Sequence, residues 1–180
     1  KEIKWGKDNG AVGVFFRVGG NPMAIAVSND GDADEFDETV FITQFFAELI
    51  PGGPGEGRDI GKQGIVTAVP LSTLVPTRIP LSPLINSGFT ANRMNFCPGA
   101  HPAHIANPIL CPRPDLPANA AENTNNPQGV FPNQLMSAVI RGNRLFLPNI
   151  GAQPEPPEAA RVNVQALVHA VDTFTLTQVA

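Results

Sequence analysis

The apolar residues of this chain fall in short β-branched runs, not in helical stripes. Runs at 11–18, 23–27, 39–45, 64–69, 135–140, 144–147, 162–171 and 173–179 are bounded mostly by Gly, Pro, Asn or Asp, the signature of strands. One segment competes as a helix. At 37–49, Val40, Phe41, Phe45 and Leu49 roughly suit a 3.6-residue period. Its centre, Thr39-Val40-Phe41-Ile42-Thr43, is β-branched and aromatic, which favours a strand. The pattern predicts an all-β chain.

An internal repeat organises these runs. Residues 62–75 align with 164–177 at an offset of 102, with six of fourteen positions identical. Upstream, Val40-Phe41-Ile42-Thr43 matches Leu145-Phe146-Leu147-Pro148, and Pro22, Ala26, Val27 and Gly31 match Pro132, Ala138, Val139 and Gly142. The order of elements is the same in both halves while the spacers change length. Each unit reads as four short antiparallel strands, the pattern of a propeller blade. The expected fold is therefore antiparallel four-stranded propeller-like blades with long irregular loop insertions. About two blades lie within 1–180, as units at 18–90 and 128–180 separated by a proline-rich insertion at 91–127. Eight of the nineteen prolines lie in 95–134, where hydrophobic periodicity is almost lost, so that stretch is expected to run outside the blades.

Val18-Gly19-Gly20-Asn21-Pro22-Met23-Ala24-Ile25-Ala26-Val27-Ser28-Asn29-Asp30-Gly31, followed by Thr39-Val40-Phe41-Ile42-Thr43-Gln44, resembles the YVTN-type repeat of bacterial β-propellers. Leu167-Val168-His169-Ala170-Val171-Asp172-Thr173 resembles that repeat's second half, and 141–149 resembles its glycine turn and aromatic strand. The chain departs from the repeat by an insertion at 32–38 and a longer one at 75–127. The resemblance implies a secreted or periplasmic scaffold or binding module that acts through its long loops. The alternative it implies is the non-catalytic propeller portion of a larger bacterial oxidoreductase whose haem centre lies outside this chain. Propellers close with at least four blades, so the implied partners are the remaining blades of a longer polypeptide or copies of the chain itself.

Composition narrows the function classes. Gly and Pro together make up 36 of 180 residues, and charged residues are only 16%, below the roughly 25% of an average domain. The net charge of −4, with four lysines and eight arginines, argues against binding a phosphate backbone. No stretch approaches the ~20 apolar residues of a membrane-spanning helix. The chain begins Lys1-Glu2-Ile3, which is read as a leader already removed or as a fragment. A periplasmic or extracellular location is expected.

Two clusters carry candidate chemistry. Residues 30–38 hold six carboxylates in nine positions. Asp30, Asp32 and Asp34 have the 1, 3, 5 spacing of a calcium loop, but Glu35 and Phe41 stand where an EF-hand needs Gly and Glu. A generic Ca²⁺ loop with Asp30, Asp32, Asp34 and Asp37 as ligands stands beside a solvated acidic hairpin tip. The second cluster is Cys97, His101, His104 and Cys111. A Cys97–Cys111 disulfide is the simplest account, in keeping with an oxidising compartment. Free thiols and tetrahedral zinc are the alternatives. No nucleophile elbow, zincin helix, haem-attachment motif or phosphate loop occurs, so no catalytic residue is assigned. His169 is expected to be a packed mid-strand histidine.

Overall fold

A computed structural model describes residues 2–7, 11–34, 36–87, 90–91, 95–96, 110–111, 126–127, 129–155 and 164–179. Among these every regular element is a β-strand and every pairing is antiparallel. Strands β1 (Glu2–Lys7) and β2 (Ala11–Arg17) pair with each other. A first five-stranded sheet contains β3 (Pro22–Val27), β4 (Thr39–Gln44), β5 (Glu48–Leu49), β6 (Lys62–Pro70) and β7 (Thr77–Leu81). The insertion contributes four two-residue strands, β8 (Thr90–Ala91), β9 (Asn95–Phe96), β10 (Leu110–Cys111) and β11 (Asn126–Pro127). β8 pairs with β11, and β9 with β10. The second five-stranded sheet contains β12 (Phe131–Asn133), β13 (Val139–Arg141), β14 (Arg144–Ala152), β15 (Val164–Asp172) and β16 (Thr177–Gln178).

Each sheet contains one four-stranded meander, β3-β4-β6-β7 in the first and β13-β14-β15-β16 in the second. Their registers superpose. Val40 faces Val69 and Phe41 faces Ala68, as Leu145 faces Val171 and Phe146 faces Ala170. Ala26 faces Phe41 as Val139 faces Phe146. The turns agree as well. The Leu74 amide donates to the Pro70 carbonyl at 2.8 Å, and the Leu176 amide to that of Asp172 at 3.0 Å. Leu74 (φ 56°) and Leu176 (φ 53°) are both left-handed, a conformation costing an L-residue about 1–2 kcal/mol. A left-handed leucine thus stands at the same register position in both meanders.

The register also corrects the alignment of the first strand. Sequence matched Ala26 with Ala138, whereas the sheets equate Ala26 with Val139, so the equivalence slips by one residue. Met23 then falls on Met136, and Asn21 (φ 48°) on Gln134 (φ 51°), both left-handed. A register irregularity between Pro22 and Ile25 hides this in the sequence. A one-residue slip exchanges the two faces of a strand, so the correction decides which residues meet.

The units stack with opposite faces in contact. One buried cluster joins Phe41, Val66, Ala68, Ile79 and Leu81 of the first unit to Leu145, Leu147 and Val171 of the second. By register, Leu145, Leu147 and Val171 occupy the positions of Val40, Ile42 and Val69, which lie on the other face of the first unit. That other face is also covered, with Val18 and Leu71 packed on Val40, Ile42 and Val69. Hence β4 and β6 are buried almost continuously, while β14 and β15 alternate between buried and exposed. Leu135 plugs the joint from between β12 and β13. The Thr43 hydroxyl donates to its carbonyl at 2.8 Å and accepts from the Ala24 amide at 3.0 Å.

Several strand limits differ from expectation. Residues 135–138 are not a strand, because the left-handed Gln134 turns the chain inward at buried Leu135. β7 went unpredicted, since Pro80 masked the alternation of Ile79 and Leu81. Phe131–Asn133, assigned to the irregular excursion, instead pairs with the far end of β14. No helix among the described residues is long and apolar enough to cross a membrane.

Candidate functional site

The two units differ most in the turn that follows their first strand. Between Ile140 and Leu145 the chain reverses through Gly142 (φ 57°), a left-handed position that glycine takes without steric cost. The equivalent connection between Val27 and Val40 is eight residues longer, 12 against 4. This extra length is the acidic loop.

The loop is wound by its own Asn and Asp side chains. Asn29, Asp30, Asp32 and Asp34 each accept, through Oδ1, the amide two residues ahead, at 2.7–3.1 Å. These are successive Asx turns. Buried Glu38 anchors the base by accepting the Ser28 hydroxyl and, at 3.2 Å, the Asp30 amide. The Ser28 oxygen in turn accepts the Thr39 amide at 2.8 Å. This winding brings ligand oxygens of Asp30, Asp32 and Asp37 within 4.8 Å of one another, all three residues being exposed. Asp34 is not in the group. The Asp37 carboxyl lies above its usual range, through desolvation and then repulsion from Asp30, Asp32 and Asp34.

Three carboxylate oxygens at this spacing suit a hard cation such as Ca²⁺, which takes six to eight oxygens. They supply the charge and about half of the shell. The loop walls one side of a cleft of about 320 Å³, and Gly142, Asn143, Thr173 and Phe174 of the second unit wall the other. Beside it the Asp172 carboxylate accepts the amides of Thr175 at 2.9 Å and Phe174 at 3.0 Å and pairs with Arg144. Those amides, Thr175 first, hold its pKa below the ordinary value.

A second polar cluster escaped the sequence reading. Asp59 is buried, and its Oδ1 accepts the Glu155 amide at 2.9 Å. Arg58 reaches the Glu155 carboxylate at 2.7 Å. Desolvation first, then the Glu155 charge, pushes the Asp59 carboxyl up to about 7. Burial raises Glu155 as well. Nearby, buried Gln153 donates to the Gly129 carbonyl and the Ser87 hydroxyl, each at 2.9 Å. Residues about a hundred positions apart share no local motif, so only the fold unites them. They clasp the loop after β5 to the end of β14.

His169 is buried on β15, as expected, with its Nδ1 2.9 Å from Asn149 Nδ2. Burial lowers its pKa. Cys97, His101 and His104 lie outside the described residues, and of Cys111 only its place opposite Asn95 is described. The proposed Cys97–Cys111 disulfide therefore lies outside the described residues. Comparison with family models, curated proteins and solved structures finds no match to the chain.

Proposed function

We propose that this chain is a β-propeller-type scaffold and binding module of a secreted or periplasmic protein, acting through the loops at its strand ends. The observation that carries the reading is the stacking of two units of one register, front of one on back of the other. Radial repetition of a single unit demands that relation. A two-sheet sandwich does not, since its sheets need share neither register nor sequence. The resemblance to YVTN-type repeats supports the same architecture.

Within this module the acidic loop is the binding element, and Ca²⁺ is its proposed ligand, held by Asp30, Asp32 and Asp37. Asp34 serves the loop's winding through the Phe36 amide. Ca²⁺ between the three carboxylates offsets their mutual repulsion and fixes the wall of the cleft against the turns of the second unit. Calorimetric titration with millimolar Ca²⁺ tests this. Binding heat that disappears in Asp32→Asn, with a melting temperature lowered by chelator, is the expected result. No heat and no chelator effect would return the loop to a solvated acidic tip.

A further inference from the structure

The second unit exposes a face whose central positions the first unit keeps buried. On β13, β14 and β15, Val139, Phe146, Pro148, Ile150, Ala166, Val168 and Ala170 share one side of the sheet by register, with the charged Arg141, Arg144 and Asp172 on the same side only at the end next to Gly142. Val168 is 65% exposed, Val139 54% and Phe146 37%. Their counterparts Val66 and Phe41 are 0% exposed. What covers those counterparts is known: the Leu145, Leu147 and Val171 face of the next unit.

We propose that the Val139–Phe146–Val168 face docks a third four-stranded unit of this same repeat. That unit presents an aliphatic face like that of Leu145, Leu147 and Val171, and belongs to the same longer polypeptide. A contiguous apolar sheet face of this kind marks an interaction surface. Its shape is already matched once inside the chain, where Phe41, Val66 and Ala68 receive such a face. A second copy of the chain does not fit in the same way. The surface it would have to offer, Val40, Ile42 and Val69, is 2%, 2% and 0% exposed, already closed over by packing that includes Val18 and Leu71. The inference rests on the propeller-type reading and adds to it the identity and location of the neighbour.

The test extends the chain. A second copy of residues 129–179 is fused after Ala180 through a flexible linker, carrying Phe146→Lys and Val168→Lys in the added copy as a polar outer cap. Carbene footprinting read by mass spectrometry then compares the 180-residue and extended chains. In the 180-residue chain Phe146 and Val168 should label strongly while Phe41 and Val66 stay protected. In the extended chain, labelling of the original Phe146 and Val168 should fall to the level of Phe41 and Val66. Undiminished labelling, or an added copy that contributes no further β signal in circular dichroism, overturns the docking face. Protection already present in the 180-residue chain, with sedimentation as a dimer, overturns it in favour of a second copy. Strong labelling of Phe41 and Val66 in both chains would instead contradict the two-unit stacking itself, so the two failures are distinguishable.

Discussion

Val66 and Val168 are the same residue at the same register position of the two units, yet their surroundings are opposite. Val66 is 0% exposed beneath the second unit, and Val168 is 65% exposed. Replacing either by Ala removes two carbons from a central strand, so the change in strand propensity cancels in the comparison. At Val66 the lost transfer energy is about 1.6 kcal/mol, at ~0.8 kcal/mol per carbon. The cavity left in close-packed surroundings raises the loss to roughly 2–3 kcal/mol. At Val168 most of the side chain is already in water, so the loss is within about 0.5 kcal/mol. Urea unfolding followed by far-UV circular dichroism measures both. With a slope of about 2–3 kcal/mol per M, Val66→Ala moves the midpoint down by roughly 1 M and Val168→Ala hardly moves it. Equal losses at the two positions would refute the face-to-back stacking from which the magnitudes are worked.

Thr43→Val keeps the shape of a buried side chain but strands the Leu135 carbonyl and the Ala24 amide. A loss of roughly 2–4 kcal/mol at unchanged slope is expected in the same assay, and a neutral result would contradict the joint described for Leu135. Gly151→Ala places a methyl carbon 2.5 Å from Val130 Cγ2 and 2.7 Å from Leu167 Cδ1. It should destabilise by about 1–3 kcal/mol, and an unchanged melting temperature would show the packing there to be looser. Folded Asp59 holds its proton up to about 7 against 3.8 unfolded, so between those values the folded state binds more protons. Stability therefore falls as pH rises from about 4 to about 7, on the order of 4 kcal/mol at full extent. His169 acts in the opposite sense, because its lowered pKa makes the unfolded state the stronger proton binder below 6.5. Asp59→Asn keeps the acceptor for the Glu155 amide and should flatten the downward slope, leaving the part that buried Glu155 contributes in the same sense. Identical pH profiles for the parent and Asp59→Asn would refute it.

How far the sequence reveals this architecture depends on the range of the interactions. Strands β4, β6, β15 and the first half of β14 were legible because their Val, Ile, Leu and Phe content is a local signal, whereas Pro148, Asn149 and Gly151 hid the second half of β14. The matching register of β4–β6 and β14–β15 was legible because the offsets of 102 and 105 fall on residues that those pairings set opposite one another. The offset of the first strand was not, since the eight-residue difference in the following loop and the irregularity in β3 leave only Met23 and Met136 as a visible anchor. The opposite use of the two faces left its trace in composition. The first unit has apolar or small residues at nearly every position of β4 and β6, as buried-both-sides strands do. The carboxylates were legible as a cluster, but which three of them come close together, Asp30, Asp32 and Asp37, depends on the loop's path. Asp59 and Glu155 gave no signal, since each is an ordinary acidic residue until the fold buries it.

The most direct test of the stacked-unit account is a methyl nuclear Overhauser spectrum of the 180-residue chain, with Val, Leu and Ile methyls assigned. Cross-peaks should connect methyls of Val66, Ile79 and Leu81 with those of Leu145, Leu147 and Val171, while Val139 and Val168 show none to the first unit. Cross-peaks from Val139 or Val168 to Val66 and Ile79, with none from Leu147, would mean that the units meet by the same face and that the chain is a sandwich, not part of a radial repeat.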